Sequence, residues 1–278
     1  MTAEFPLTWL YAPGDRPDVV AKALVSGADV VLVDLEDAVA PDRKEYARAA
    51  TADLLTEPTP VPVMVRVNAL DGPLAEADLK TLSPLPGLSG LRLPKVTSPD
   101  DVVRVAEGAT PAEGGAIPLY ALLETALGVE QAFAIASAHR ALRGVSLGEA
   151  DLRADLGVRE DAGLDWSRAR VIVAARAAGL PPPVQSVYPD IRDVEGLAAS
   201  CAHGRTLGFL GRAAIHPRQL PIIERAYLPT PAEIDSAEAI VKAAATGPGA
   251  QALPDGRFID AAVVVGAHRT LALARRLV

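Results

Sequence analysis

The chain predicts a (β/α)8 barrel, also called a TIM barrel, followed by a C-terminal helical extension. Three observations carry that prediction. Short apolar runs alternate with helix-patterned segments eight times along the chain. A length of 278 residues suits one α/β barrel. Hydrophobic residues make up 50% of the chain but aromatics only 4%, and an aliphatic core of this kind suits parallel strands covered by helices.

The first candidate strand, Leu7–Tyr11, leads through Pro13-Gly14-Asp15-Arg16 into a helix over 17–26. The later pairs are Val30–Asp34 with 43–55, Val63–Val67 with 74–82, Gly90–Leu93 with 99–108, and Leu119–Leu123 with 126–138. Gly144–Leu147 with 166–179, Val184–Val187 with 193–203, and Gly208–Leu210 with 217–226 complete the series. Asp15 before Pro17 and Ser98 before Pro99 give the cap-then-proline order of a helix start. Alternation of this kind implies parallel strands joined by right-handed crossovers. A doubly wound open sheet is the main alternative, but the chain has no Gly-x-Gly-x-x-Gly and no phosphate-binding Gly-rich loop. Residues 1–228 are thus expected to form the barrel and 229–278 an extension. In that extension Thr230-Pro231-Ala232-Glu233 reads as a capping box, with a helix to about Ala245. A Gly/Pro stretch, Thr246–Ala250, then leads to Arg257-Phe258-Ile259-Asp260 and a last helix.

Composition excludes several function classes. A net charge of −8 argues against a nucleic-acid partner, which wants a basic face. One cysteine, Cys201, leaves no intrachain disulfide and no multi-cysteine metal site. No stretch reaches 18 uninterrupted apolar residues, so no membrane span is expected. Met1 to Pro6 lack the charged and apolar regions of a signal peptide, and the expected home is the cytoplasm.

In a barrel the active site lies at the C-terminal ends of the strands, and the chain places its charges there. Asp34-Leu35-Glu36-Asp37, Arg66-Val67-Asn68, Pro94-Lys95 and Glu124-Thr125 end strands two to five. Glu149 and Asp151 follow strand six, and Arg212 and His216 follow strand eight. Glu124 and Asp151, at adjacent strand ends, suit a hard cation with oxygen ligands such as magnesium; helix caps or surface ion pairs are the alternative. Arg66 has the fork that matches a substrate carboxylate, or else partners the Asp34–Asp37 cluster. Arg16 reads as an anion-binding residue or as part of a tight turn. His139, His203 and His268 fall in helical patterns away from strand ends.

These motifs resemble the HpcH/HpaI aldolase/citrate lyase family, in its citrate lyase β-subunit-like group. The matching stretches are Leu-Tyr-Ala-Pro-Gly-Asp-Arg-Pro (10–17), Val-Asp-Leu-Glu-Asp-Ala-Val-Ala-Pro (33–41), Val-Arg-Val-Asn (65–68) and Leu-Pro-Lys-Val (93–96). Leu-Glu-Thr (123–125), Ala-Asp-Leu-Arg-Ala-Asp-Leu-Gly (150–157), Gly-Phe-Leu-Gly-Arg-Ala-Ala-Ile-His-Pro (208–217) and Phe-Ile-Asp (258–260) follow in family order. The resemblance implies that Glu124 and Asp151 bind Mg2+ and that Arg66 holds the substrate carboxylate. It implies an anion-binding or thioester-side role for Arg16, and an Asp260 delivered by the tail of an adjacent subunit. It also implies a homotrimer, or a hexamer built as a dimer of trimers. Two departures stand out: Gly148-Glu149-Ala150-Asp151 replaces the usual Gly-Ala-Glu-Asp, and Ala261-Ala262 stands where a proline often follows the tail aspartate.

The function expected from this resemblance is magnesium-dependent cleavage of a citryl-, malyl- or citramalyl-type thioester, carried on coenzyme A or an acyl carrier. The products would be a keto-acid (oxaloacetate, glyoxylate or pyruvate) and an acyl thioester. Rival readings are an aldolase acting on free 2-keto-acids and a catalytically silent metabolite-binding homologue.

Overall fold

The computed structural model describes residues 6–109, 111, 115–245, 251–252 and 256–277. Residues 1–5 and the Gly/Pro stretch 246–250 lie outside them. The chain folds as two compact units, Met1–Ala226 and Tyr227–Val278.

In the first unit seven parallel strands share one sheet. They are β1 (Thr8–Pro13), β2 (Val30–Asp34), β3 (Val63–Arg66), β4 (Leu88–Leu93), β5 (Leu119–Leu123), β6 (Leu142–Leu147) and β7 (Arg212–Ala214), in the order β6-β5-β4-β3-β2-β1-β7. Every residue of β2 and β3 is buried, as strands covered on both faces require. Helices α1 (Pro17–Leu24), α2 (Lys44–Leu54), α3 (Pro73–Leu82) and α4 (Pro99–Gly108) follow the first four strands in turn. Helices α5 (Ala126–Glu130) and α6 (Ala132–Ala136) follow β5, and α7 (Glu149–Leu156) and α8 (Asp165–Ala177) follow β6. Helix α9 (Val194–Leu207) precedes β7, and α10 (Leu220–Tyr227) comes after it. Ser98 caps α4 in a capping box with Asp101. Asp15 does not cap α1. Arg16 occupies the cap position before Pro17, and Asp15 instead lies 3.6 Å from Arg43.

The sheet curls strongly. Trp9 on β1 and Tyr120 on β5 are four strand steps apart, about 19 Å in a flat sheet, yet their rings meet edge to face with centroids 5.5 Å apart. Trp9, Val30, Leu32, Met64, Val184 and Ala213 fill the interior between them.

Closure departs from the expected eight-strand ladder. Gly208–Leu210 is not a strand: Gly208 ends α9 in the left-handed conformation, and β7 begins only after Gly211. Val184–Val187 does not form a strand either. Its one bridge runs from Gln185 to Arg212, with the Gln185 N–H donating to Gly211 O at 3.0 Å. The preceding Pro181-Pro182-Pro183 offers no N–H for a ladder, which limits pairing there. Contact with the β6 side is made by a side chain, Ser186 Oγ accepting the Glu149 N–H at 3.3 Å.

Helix α7 was not among the expected helices, and side-chain chemistry explains it. The Glu149 carboxylate takes Arg168 Nε at 3.0 Å and Nη2 at 2.6 Å, a two-pronged buried pair that ties α7 to α8. Arg168 also reaches Asp161 at 2.7 Å and Asp165 at 3.0 Å.

The second unit holds α11 (Pro231–Ala244), a short antiparallel hairpin of β8 (Gln251–Ala252) and β9 (Phe258–Ile259), and α12 (Ala261–Ala274) packed on α11. The capping box expected at Thr230 and Glu233 is present.

Two outcomes test these supports by chemical denaturation. Gly211 has φ +80°, and an added Cβ would lie 2.5 Å from Leu7 O, so Gly211→Ala lowers stability by at least about 2 kcal/mol. Arg168→Leu strands a buried carboxylate and costs about 3–5 kcal/mol.

Candidate active site

The C-terminal ends of the strands open on a cleft of about 380 Å3, bordered among others by Tyr11, Asp34, Arg66, Arg92, Glu124 and Asp151. Its charges form one chain of contacts that begins at the end of β2. Asp34 folds the turn after the strand by accepting the Glu36 N–H at 2.9 Å and the Ala38 N–H at 3.1 Å. The same carboxylate receives Arg66 Nε at 2.8 Å and Nη2 at 2.6 Å, side by side. Arg66 Nη1 then lies 3.2 Å from Asp37 Oδ2, and 2.9 Å from Glu36 Oε2 without hydrogen-bond geometry.

The sequence left two roles open for Arg66, and its contacts decide the orientation. The forked edge expected for a substrate carboxylate is held by Asp34. Only the Nη1 edge faces a partner that can yield, Asp37, whose side chain is 58% exposed.

Lys95 continues the chain of contacts. It is the one non-glycine residue with positive φ (51°) among the described residues, a backbone state that costs of order 1 kcal/mol or more. That turn aims its N–H at Glu124 Oε2, 2.8 Å away, while its Nζ contacts Glu36 Oε1 and lies 3.8 Å from Asp37. Sequence reasoning marked Pro94-Lys95 as a polar strand end without a role. No signal in the residue type announces a left-handed lysine.

Glu124, at the end of β5, is 2% exposed. Burial, and then the neighbouring Glu36 carboxylate, push its pKa up to about 7. The Gly148 backbone packs directly on its carboxylate; a Cβ there would sit 2.3 Å from Oε1, so any side chain at this position would push the Glu124 carboxylate aside. Asp151 stands on the first turn of α7, exposed and without a hydrogen bond or ion pair among the described residues, at the same cleft. Glu149 also borders the cleft, but its carboxylate is spent on Arg168, so the displaced glutamate of this motif docks α8 and does not join Glu124 and Asp151 as a candidate ligand.

Donor chemistry fits a divalent cation held by Glu124 and Asp151. A buried carboxylate that accepts one neutral N–H calls for positive charge, and two carboxylates leave most of the shell of a hard ion to water and ligand oxygens. Arg16 lies elsewhere, exposed at the start of α1 and outside the cleft lining. Asp260 belongs to the second unit, where its Oδ1 caps α12 by accepting the Val263 N–H at 3.0 Å. His216 caps the turn at Pro217 through Nδ1, and His203 pairs with Asp165 at 3.0 Å. Tyr11 and Arg92, absent from the sequence candidates, both face the cleft.

Comparison with known proteins agrees with this architecture. The model of the family described as HpcH/HpaI aldolase/citrate lyase matches residues 7–217. A (3S)-malyl-CoA thioesterase of Cereibacter sphaeroides is 37% identical over 96% of this chain and 94% of its own length. The citrate lyase subunit beta of Escherichia coli K12 is 33% identical over 95% and 92%. Among solved structures, CitE from Mycobacterium tuberculosis in complex with magnesium, acetoacetate and coenzyme A aligns with TM-score 0.82 and 32% identity, covering 98% of this chain and 99% of that one. The citrate lyase β subunit of the same organism, complexed with oxaloacetate and magnesium, aligns with TM-score 0.70 and 34% identity over 82% and 99%. On this evidence the chain belongs to the HpcH/HpaI aldolase/citrate lyase family.

Proposed function

We propose that this chain is a magnesium-dependent carbon–carbon lyase that cleaves a citryl-, malyl- or citramalyl-type thioester into a keto-acid and an acyl thioester. The observation that carries the reading is Glu124, a buried strand-end acid beside Arg66 in the cleft that Asp151 borders. Relatives crystallised with magnesium, with oxaloacetate and with coenzyme A support it.

Glu124 and Asp151 are the proposed holders of the ion. Magnesium, when bound, supplies a Lewis acid that polarises the oxygens of a hydroxy- or keto-acid. The Nη1 edge of Arg66 neutralises the substrate carboxylate, and Asp34 keeps the guanidinium from turning. Lys95 holds Glu36 and Glu124 in fixed positions from one backbone turn. A base takes the hydroxyl proton, and the electron pair left on that oxygen forms the keto-acid carbonyl as the carbon–carbon bond breaks. The electron pair of the broken bond leaves on the thioester fragment as an enolate, which Asp260 from a neighbouring copy protonates. Arg16 is assigned to the thioester side, where an exposed guanidinium at the start of α1 suits an anionic carrier. Residues 1–228 form the catalytic domain, with 184–187 as the stave that completes the barrel. Residues 229–278 form an extension that reaches a neighbour in a homotrimer or hexamer in the cytoplasm. No described helix is long and apolar enough to cross a membrane.

Thioester hydrolysis is the second reading, favoured by the (3S)-malyl-CoA thioesterase relatives. Products separate the two: cleavage yields a keto-acid and no free thiol, whereas hydrolysis yields a free thiol and the intact hydroxy-acid. A panel of thioesters and free keto-acids, assayed with and without coenzyme A, also tests the free-acid aldolase.

Glu124→Gln removes the charge and keeps the shape. Magnesium-dependent turnover falls by about 1000-fold or more while the circular dichroism spectrum is unchanged; wild-type rates at low magnesium would remove the ion from the reaction. Mixing Asp260→Ala with Arg66→Ala chains restores part of the activity when subunits share sites. Full activity of Asp260→Ala alone would dismiss the tail aspartate.

A further inference from the structure

One buried charge of the cleft is left without a role. Arg92 lies on β4, 3% exposed, in register with Arg66 on β3 and with Tyr120 on β5. The other buried arginines have partners: Arg66 and Arg168 are taken up by carboxylates, and Arg212 donates to Ser200 Oγ at 2.9 Å. Arg92 makes no hydrogen bond or ion pair among the described residues. Its Nε is enclosed and unpartnered, and its guanidinium carbon lies 6.0 Å from the centre of the Tyr11 ring. A guanidinium this deep without a counter-ion is costly to keep, so the position suits an anion that arrives with a ligand.

Arg92 borders the same cleft as Arg66, Glu124 and Asp151. The ring of Tyr11 lies near both guanidiniums, with Arg66 at 5.3 Å and Arg92 at 6.0 Å, so the two cations are neighbours without sharing a carboxylate. Asp34 occupies the fork of Arg66 and leaves the fork of Arg92 unclaimed.

We infer that Arg92 is a specificity-determining residue that selects keto-acids carrying a second carboxylate. The inference rests on the keto-acid lyase reading. In that reading the carboxylate and carbonyl next to the broken bond would be held by Arg66 and by the ion that Glu124 and Asp151 would hold. The remaining substituent of the keto-acid meets the rest of the cleft. A hydrogen or methyl group, as in glyoxylate or pyruvate, gives Arg92 nothing, whereas the carboxymethyl group of oxaloacetate supplies its missing counter-charge. A site built around a buried polar group discriminates strongly against a ligand that leaves it unpaired.

The test is calorimetric binding of oxaloacetate and of pyruvate to the full chain at saturating magnesium. The wild-type chain binds oxaloacetate at least about tenfold more tightly, the Arg92→Met chain brings the two affinities close together by weakening oxaloacetate, and Arg92→Lys falls between. Circular dichroism reports whether each variant folds; if Arg92→Met does not, the wild-type ratio and Arg92→Lys decide. Equal affinities in the wild-type chain, or a tenfold preference that survives in Arg92→Met, overturn the inference and leave the lyase reading standing. Binding of neither acid by the wild-type chain overturns both.

Discussion

Arg66 and Asp34 form the contact on which the mouth of the sheet depends. Their two parallel hydrogen bonds fix a guanidinium that would otherwise be free to turn, and the same aspartate folds the chain after β2. Glu36 is thereby brought within reach of both Arg66 and Lys95, and Lys95 in turn donates its N–H to Glu124. Removing Asp34 would leave the buried guanidinium of Arg66 without its forked partner, the costly case for groups in a low-dielectric interior. The site is a network whose geometry belongs to no residue alone.

That network also accounts for the state of Glu124. A carboxylate is held at 2% exposure against glycine backbone, with a second carboxylate close by and one N–H for company. Burial and the Glu36 carboxylate raise its pKa against the opposing pull of Lys95 and Arg66. Such a group is poorly placed for structure and well placed for a ligand that brings positive charge. Arg92 shows the reverse arrangement, a cation held inside the sheet with aromatic neighbours and no acid.

Much of this was legible beforehand. Strands β2, β3 and β5 begin and end within a residue of the runs that predicted them, because an apolar run bounded by turn residues has few alternatives. The placing of charged residues at strand ends located the cleft, since the strand direction in a parallel sheet puts them all at one end. The end of the sheet was less legible. Proline-rich 181–183 and glycines 208 and 211 shifted β7 and left Val184–Val187 with one bridge, a choice made by backbone hydrogen bonding that residue patterns do not report.

The sequence by itself determined which chemistry is available: acids at the ends of β2 and β5, an arginine at the end of β3, and no cysteine or histidine set for a softer metal. Tertiary structure alone decided how those groups are spent. It gave the fork of Arg66 to Asp34, assigned Glu149 to Arg168, forced Lys95 into a left-handed turn and left Arg92 unpaired. The physical reason is that residue identity fixes a side chain's donors and charge, whereas its partners come from strands far apart in the chain and meet only when the sheet curls.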